Sequence, residues 1–143
     1  MKKKSNFLRY IFYYGWIPIV VIIGIAKYYI KFSPTNLASE YVKENKHLVG
    51  TKTKYATVLS LTSSSYMIFV NMKLQNDYIR SEKDKTNLAN IINTSLKEGK
   101  TCSNTNRLNL LNNGVVFIYT YKDQLGQKIV DVTINKEFCG LSI

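Results

Sequence analysis

From Tyr10 to Ala26 the chain is an unbroken apolar and aromatic run, preceded by Lys2, Lys3, Lys4 and Arg9. A cationic start resists translocation, so this pattern predicts a membrane-targeting segment with its amino terminus in the cytoplasm and the remainder exported. A signal peptide would end in small residues, and Gly24-Ile25-Ala26 meets that requirement loosely. A transmembrane helix needs about 20 mostly apolar residues. The apolar pattern resumes after Lys27 as Tyr28, Tyr29, Ile30 and Phe32, and a lysine near a helix end can snorkel to the interface. Tyr10, Tyr13, Tyr14 and Trp16 crowd one end, and Tyr28 and Tyr29 the other, as the aromatic belts of a spanning helix would. Pro18 is tolerable there and can kink the helix. The uncleaved anchor is therefore the expectation for residues 1–32. It is a single inner-membrane span marked by Arg9, Tyr13, Tyr14, Trp16, Pro18, Lys27, Tyr28 and Tyr29. No cysteine closes the segment, which argues against attachment through acyl chains.

Beyond it the periodicity changes. Leu37, Ala38, Tyr41, Val42, Leu48 and Val49 recur at helical spacing after a Ser33 or Thr35 cap, predicting a juxtamembrane helix that ends by Gly50. Lys52 to Leu61 alternates as a strand, Thr62-Ser63-Ser64-Ser65 is a turn, and Tyr66 to Leu74 is a second strand. Ser81-Glu82-Lys83-Asp84 resembles a capping box before Leu88, Ile91, Ile92 and Leu96 on one helical face. A short Leu-rich helical turn with Leu108, Leu110 and Leu111 ends at Asn113-Gly114. Val115 to Lys122 and Gln127 to Ile134 form a last hairpin around Asp123-Gln124-Leu125-Gly126, with glycine where a type I turn prefers it. The expected fold is α+β, in the order α-β-β-α-β-β after the transmembrane helix. Residues 51–143 form a small antiparallel sheet with helices on one face and one disulfide.

Charge refines this picture. The formal charge is +11, but residues 1–33 carry six basic and no acidic groups, so part of it is an orientation signal. The remaining excess suits anionic head groups, an acidic partner, or merely a solvated surface. In an exported domain Cys102 and Cys139 are expected to pair rather than remain two buried thiols. No spacing around His47, the single histidine, supports a metal site, and no cofactor is expected. Nucleophile elbow, P-loop and zincin motifs are all missing, which argues against an enzyme. Phe117, Tyr119 and Tyr121 share one strand face that Tyr66 could extend, forming either the core beneath the helices or an adhesive surface. Together with Leu88 and Ile92 beside the middle helix they are the candidate partner-binding residues. Stacking on nucleic acid is disfavoured by the exported location.

The last forty residues carry a further pattern. Cys102 is followed by Leu110-Leu111-Asn112-Asn113-Gly114-Val115, then Tyr119-Thr120-Tyr121-Lys122-Asp123-Gln124-Leu125-Gly126, then Val132-Thr133-Ile134 and Cys139. This order resembles the beta-type pilotins of type II secretion systems, and also a group of proteobacterial envelope proteins. The resemblance implies an α+β fold with a disulfide and a groove that holds a helical tail of a secretin. Pilotins of this kind are lipoproteins, and this chain lacks the acylated cysteine. The expected function is an inner-membrane-anchored, non-enzymatic accessory of a secretion, pilus or conjugation machine, binding a protein partner such as a secretin in the periplasm. A small immunity or exclusion protein acting at the periplasmic face is the alternative. Oligomeric state is not specified by the sequence.

Overall fold

The computed structural model describes residues 20–53, 55–75, 82–98 and 101–141. The chain divides after Ser33 into two units. The first contributes helix α1, residues 20–31, in which Tyr28 packs against Phe32 with ring centroids 4.7 Å apart. The second contains α2 (Pro34–Glu44), a 3-10 turn (Lys46–Leu48), β1 (Ala56–Ser64), β2 (Met67–Leu74), α3 (Glu82–Glu98), α4 (Thr105–Asn112), β3 (Val116–Lys122) and β4 (Lys128–Ile134). The four strands form one sheet in the order β1-β2-β3-β4.

Strict alternation builds the sheet's buried face. Ile68, Val70, Met72 and Leu74 of β2, Phe117, Tyr119 and Tyr121 of β3, and Val132 and Ile134 of β4 point into the core. Ala38 of α2, Ile92 of α3 and Leu111 of α4 close over them. Phe117, Ile68, Leu111 and Ile134 are almost fully buried, and each such side chain contributes roughly 1.5–3 kcal/mol. On the opposite face one transverse row crosses all four strands: Ser60, Asn71, Thr120 and Asp131. Asn71 Nδ2 donates to Ser60 Oγ at 2.8 Å, and Thr120 Oγ1 donates to Asp131 Oδ1 at 2.8 Å.

Local chemistry sets the turns. Ser65 takes a φ of 55° in the two-residue link between β1 and β2, the left-handed conformation such hairpins use. Gly114, at φ 84°, ends α4 with two bonds: its own N–H to Leu111 O at 3.0 Å and the Val115 N–H to Leu110 O at 3.0 Å. That pairing is a Schellman motif, and it aims the chain straight into β3. The Cys102–Cys139 disulfide joins the segment before α4 to the turn after β4, with Cα atoms 5.4 Å apart.

Three expectations are corrected. The expected transmembrane helix is not found, since among the described residues no helix is long and apolar enough to cross a membrane. The described helical stretch 20–31 contains Lys27 and Lys31. Lys27, Tyr28 and Tyr29 lie exposed on it, while Arg9, Tyr13, Tyr14, Trp16 and Pro18 fall outside the described residues. The sheet is mixed rather than antiparallel, because β2 and β3 run parallel. Their connection holds α3 and α4, and a helical crossover returns the chain in the same direction. The order α-β-β-α-β-β also gives way to α-β-β-α-α-β-β, since the Leu-rich turn is a full helix, α4, capped by the Asn104 side chain accepting from the Arg107 N–H at 3.1 Å.

Candidate protein-binding groove

Helix α3 carries Leu88, Ile91, Ile92 and Leu96 on the face toward the sheet, yet it does not seal against it. Between the two lies an open groove of about 510 Å³. Its floor is Ala56 of β1, Met72 and Leu74 of β2, and Tyr121 of β3. Ile92 is buried, whereas Ile91 of α3 and Tyr55 across the groove remain 61% and 58% exposed. Asp84, Asn87 and Ser95 line its polar margin. An apolar slot with a polar margin suits an amphipathic segment, whose apolar side chains enter while its polar side stays wet.

The groove adjoins a second cavity of about 260 Å³ through Thr53, Met72, Leu96 and Tyr121, which line both. This inner cavity lies over Val70 and Tyr119 and reaches Tyr41 of α2 and Arg107 of α4. Arg107 Nη1 donates to Thr101 Oγ1 at 3.2 Å. Burial acts to lower the Arg107 pKa, but the neighbouring phenols of Tyr119 and Tyr41 outweigh it and hold the pKa above its ordinary value. Burial pushes Tyr119 up, with Arg107 opposing, and pushes Tyr121 up to about 12.

The candidate residues read from sequence separate here. Leu88, Ile92 and Tyr121 come together in the groove. Phe117 and Tyr119 lie in the core, with Tyr119 bordering the inner cavity. Tyr66 sits half-exposed in the β1–β2 turn, away from both. Cys102 and Cys139 are bonded. His47 is exposed after α2, its Nδ1 3.0 Å from Glu44 O, and no cluster of three potential metal ligands occurs among the described residues. Sequence reasoning missed Arg107, Tyr55 and Met72. A lone arginine among the leucines of α4 was the available signal for the first.

No family model matches the chain, and no curated protein matches it in sequence. Solved structures do match. The pilotin EpsS of the Vibrio vulnificus type 2 secretion system aligns with a TM-score of 0.61 at 17% identity, over 74% of this chain and 91% of that one. The type II secretion system pilotin AspS of Vibrio cholerae aligns with a TM-score of 0.59 at 16% identity, over 74% and 92%. The fold is pilotin-like. A Pseudomonas aeruginosa protein described as secreted shares it, with a TM-score of 0.63 at 13% identity over 74% and 92%. At such low identity the likeness is one of architecture.

Proposed function

We propose that this chain is a non-enzymatic accessory of a bacterial envelope complex that binds an apolar helical segment of a partner protein in the groove between α3 and the sheet. The open groove of about 510 Å³ carries this reading. Its walls offer methyl and aromatic surface with partly exposed anchors at Ile91 and Tyr55, the chemistry of a helix-in-groove site. The Cys102–Cys139 disulfide supports an oxidising compartment, hence the periplasm, for the folded domain. The pilotin-like fold supports a secretion-complex subunit, such as a secretin, as the partner.

The test is a photo-reactive amino acid at position 91, inside the groove, and at Ser64, an exposed residue at the opposite end of β1 from the groove residue Ala56. Irradiated cells should yield an adduct from position 91 alone, containing a secretin or another secretion, pilus or conjugation subunit by mass spectrometry. An adduct containing a toxin would favour an immunity role. Equal adducts from both positions would remove the groove as the binding site.

A further inference from the structure

Arg107 is a half-buried cation whose described partners are all neutral oxygens. It donates to Thr101 Oγ1 at 3.2 Å and lies beside the phenols of Tyr41 and Tyr119. No ion pair joins it to another described residue. Arg107 also lines a second cleft of about 300 Å³ between α2 and α4, together with Glu40 and Glu44, with neither of which it forms an ion pair. A guanidinium presents five N–H donors in a planar fork, so neutral contacts leave capacity for an anion. Holding such a charge half out of water costs free energy unless it is paired. The place where that pairing would occur is the inner cavity, which shares Thr53, Met72, Leu96 and Tyr121 with the apolar groove.

We propose that the inner cavity receives a carboxylate carried by the same helical segment that fills the groove. The apolar residues of that segment lie against Leu88, Ile92 and Leu96. An aspartate or glutamate one or two turns along enters beside Tyr121 and pairs with Arg107. The inference rests on the groove-binding function. A carboxylate fits because the planar fork of arginine matches its two oxygens bidentately. A peptide source fits because the polar margin of Asp84, Asn87 and Ser95 suits the wet side of an amphipathic helix. Arg107 then acts as a specificity determinant, selecting among apolar helices the one that brings an acid in the correct register.

The test displays amphipathic helical peptides of about 18 residues, with apolar positions fixed at i, i+3, i+4 and i+7 and the others random, against the full disulfide-bonded chain. Selected peptides should carry Asp or Glu at one register position, and its amide replacement should weaken binding by about tenfold or more. On Arg107→Met the same replacement should change binding by less than about twofold, while the thermal midpoint holds or rises because a half-buried charge has gone. Arg107→Lys should fall between, as charge without the fork. Binders that show no acidic preference, or keep it on Arg107→Met, would overturn the inference and leave the groove function standing. If no peptide binds, the groove function falls and the inference with it. Binding of dodecanoate but not dodecanol, lost in Arg107→Met and without any peptide binder, would assign the cavity to a fatty acid and overturn the helical source.

Discussion

Tyr41 of α2 stands edge-on against Phe117 of β3, with ring centroids 5.3 Å apart and planes at 87°. One partner is the most buried aromatic side chain of the sheet, and the other also borders the cavity that holds Arg107. The pair therefore fixes α2 on the sheet and forms one wall of the inner cavity. Tyr41→Ala should cost about 2–3 kcal/mol in urea denaturation, from lost burial and the lost ring contact. Tyr41→Phe keeps the ring and should cost no more than about 1 kcal/mol. A large loss in Tyr41→Phe would mean that the phenol oxygen beside Arg107, rather than the ring, holds α2 in place.

Gly114 gives a backbone prediction. At φ 84° an L-residue crowds its own carbonyl, at a cost of roughly 1–2 kcal/mol. A Cβ added there would meet Pro34 Cγ at 3.6 Å, an ordinary contact, so conformation rather than space decides the outcome. Gly114→Ala should lower stability by about 1 kcal/mol. The D-alanine variant, made by ligation, should match or exceed the natural chain. Equal losses in both variants would show that the left-handed backbone conformation of Gly114 does not set the cost.

The same turn shows what was legible in sequence. Asn113-Gly114 before a β-branched run marks the end of α4 and the start of β3 without reference to the rest of the chain. The alternation of Phe117, Tyr119 and Tyr121 likewise gives a strand face directly, because side-chain period follows from the backbone. Whether that face is core or surface depends on what covers it. Tyr41 does so from α2, distant in sequence, so period alone left both readings open. Parallel pairing of β2 with β3 was hidden for a related reason: each hairpin is a local signal, but the direction in which two hairpins meet is fixed by their helical crossover. Arg107 was overlooked because a single cation in a short helix usually reads as solvated surface. Its meaning comes from Tyr119 and Thr101, which only the folded chain brings beside it.

Tyr121 makes stability fall at alkaline pH. Burial raises its pKa from 10 to about 12, so the folded state holds a proton that the unfolded chain releases first. Its contribution is fully present below pH 10 and is lost as pH rises toward about 12, on the order of 2 kcal/mol in all. Tyr119 shifts in the same direction, from burial opposed by Arg107. Tyr121→Phe has no proton to lose, so its unfolding midpoint should move to higher pH, followed by tyrosinate absorbance and circular dichroism together. An unchanged alkaline midpoint would assign the transition to another group.

The disulfide should matter more for stability than for the shape of the sheet. Cys102 and Cys139 lie 37 positions apart, and closing a loop of that length removes enough unfolded-chain entropy to contribute about 4 kcal/mol. Both partners sit outside the strands, at the entry to α4 and the turn beyond β4, so reduction leaves every ladder bond of the sheet available. The double variant Cys102→Ser with Cys139→Ser should therefore fold at low temperature with an unchanged far-UV spectrum. Its urea midpoint should drop sharply, and reductant should have no further effect on it. The natural chain treated with reductant should converge on the same curve. If the variant instead loses its far-UV signal outright, the remaining core is too small to hold α4 on the sheet. The staple is then a condition of folding, and the domain requires an oxidising compartment to exist at all.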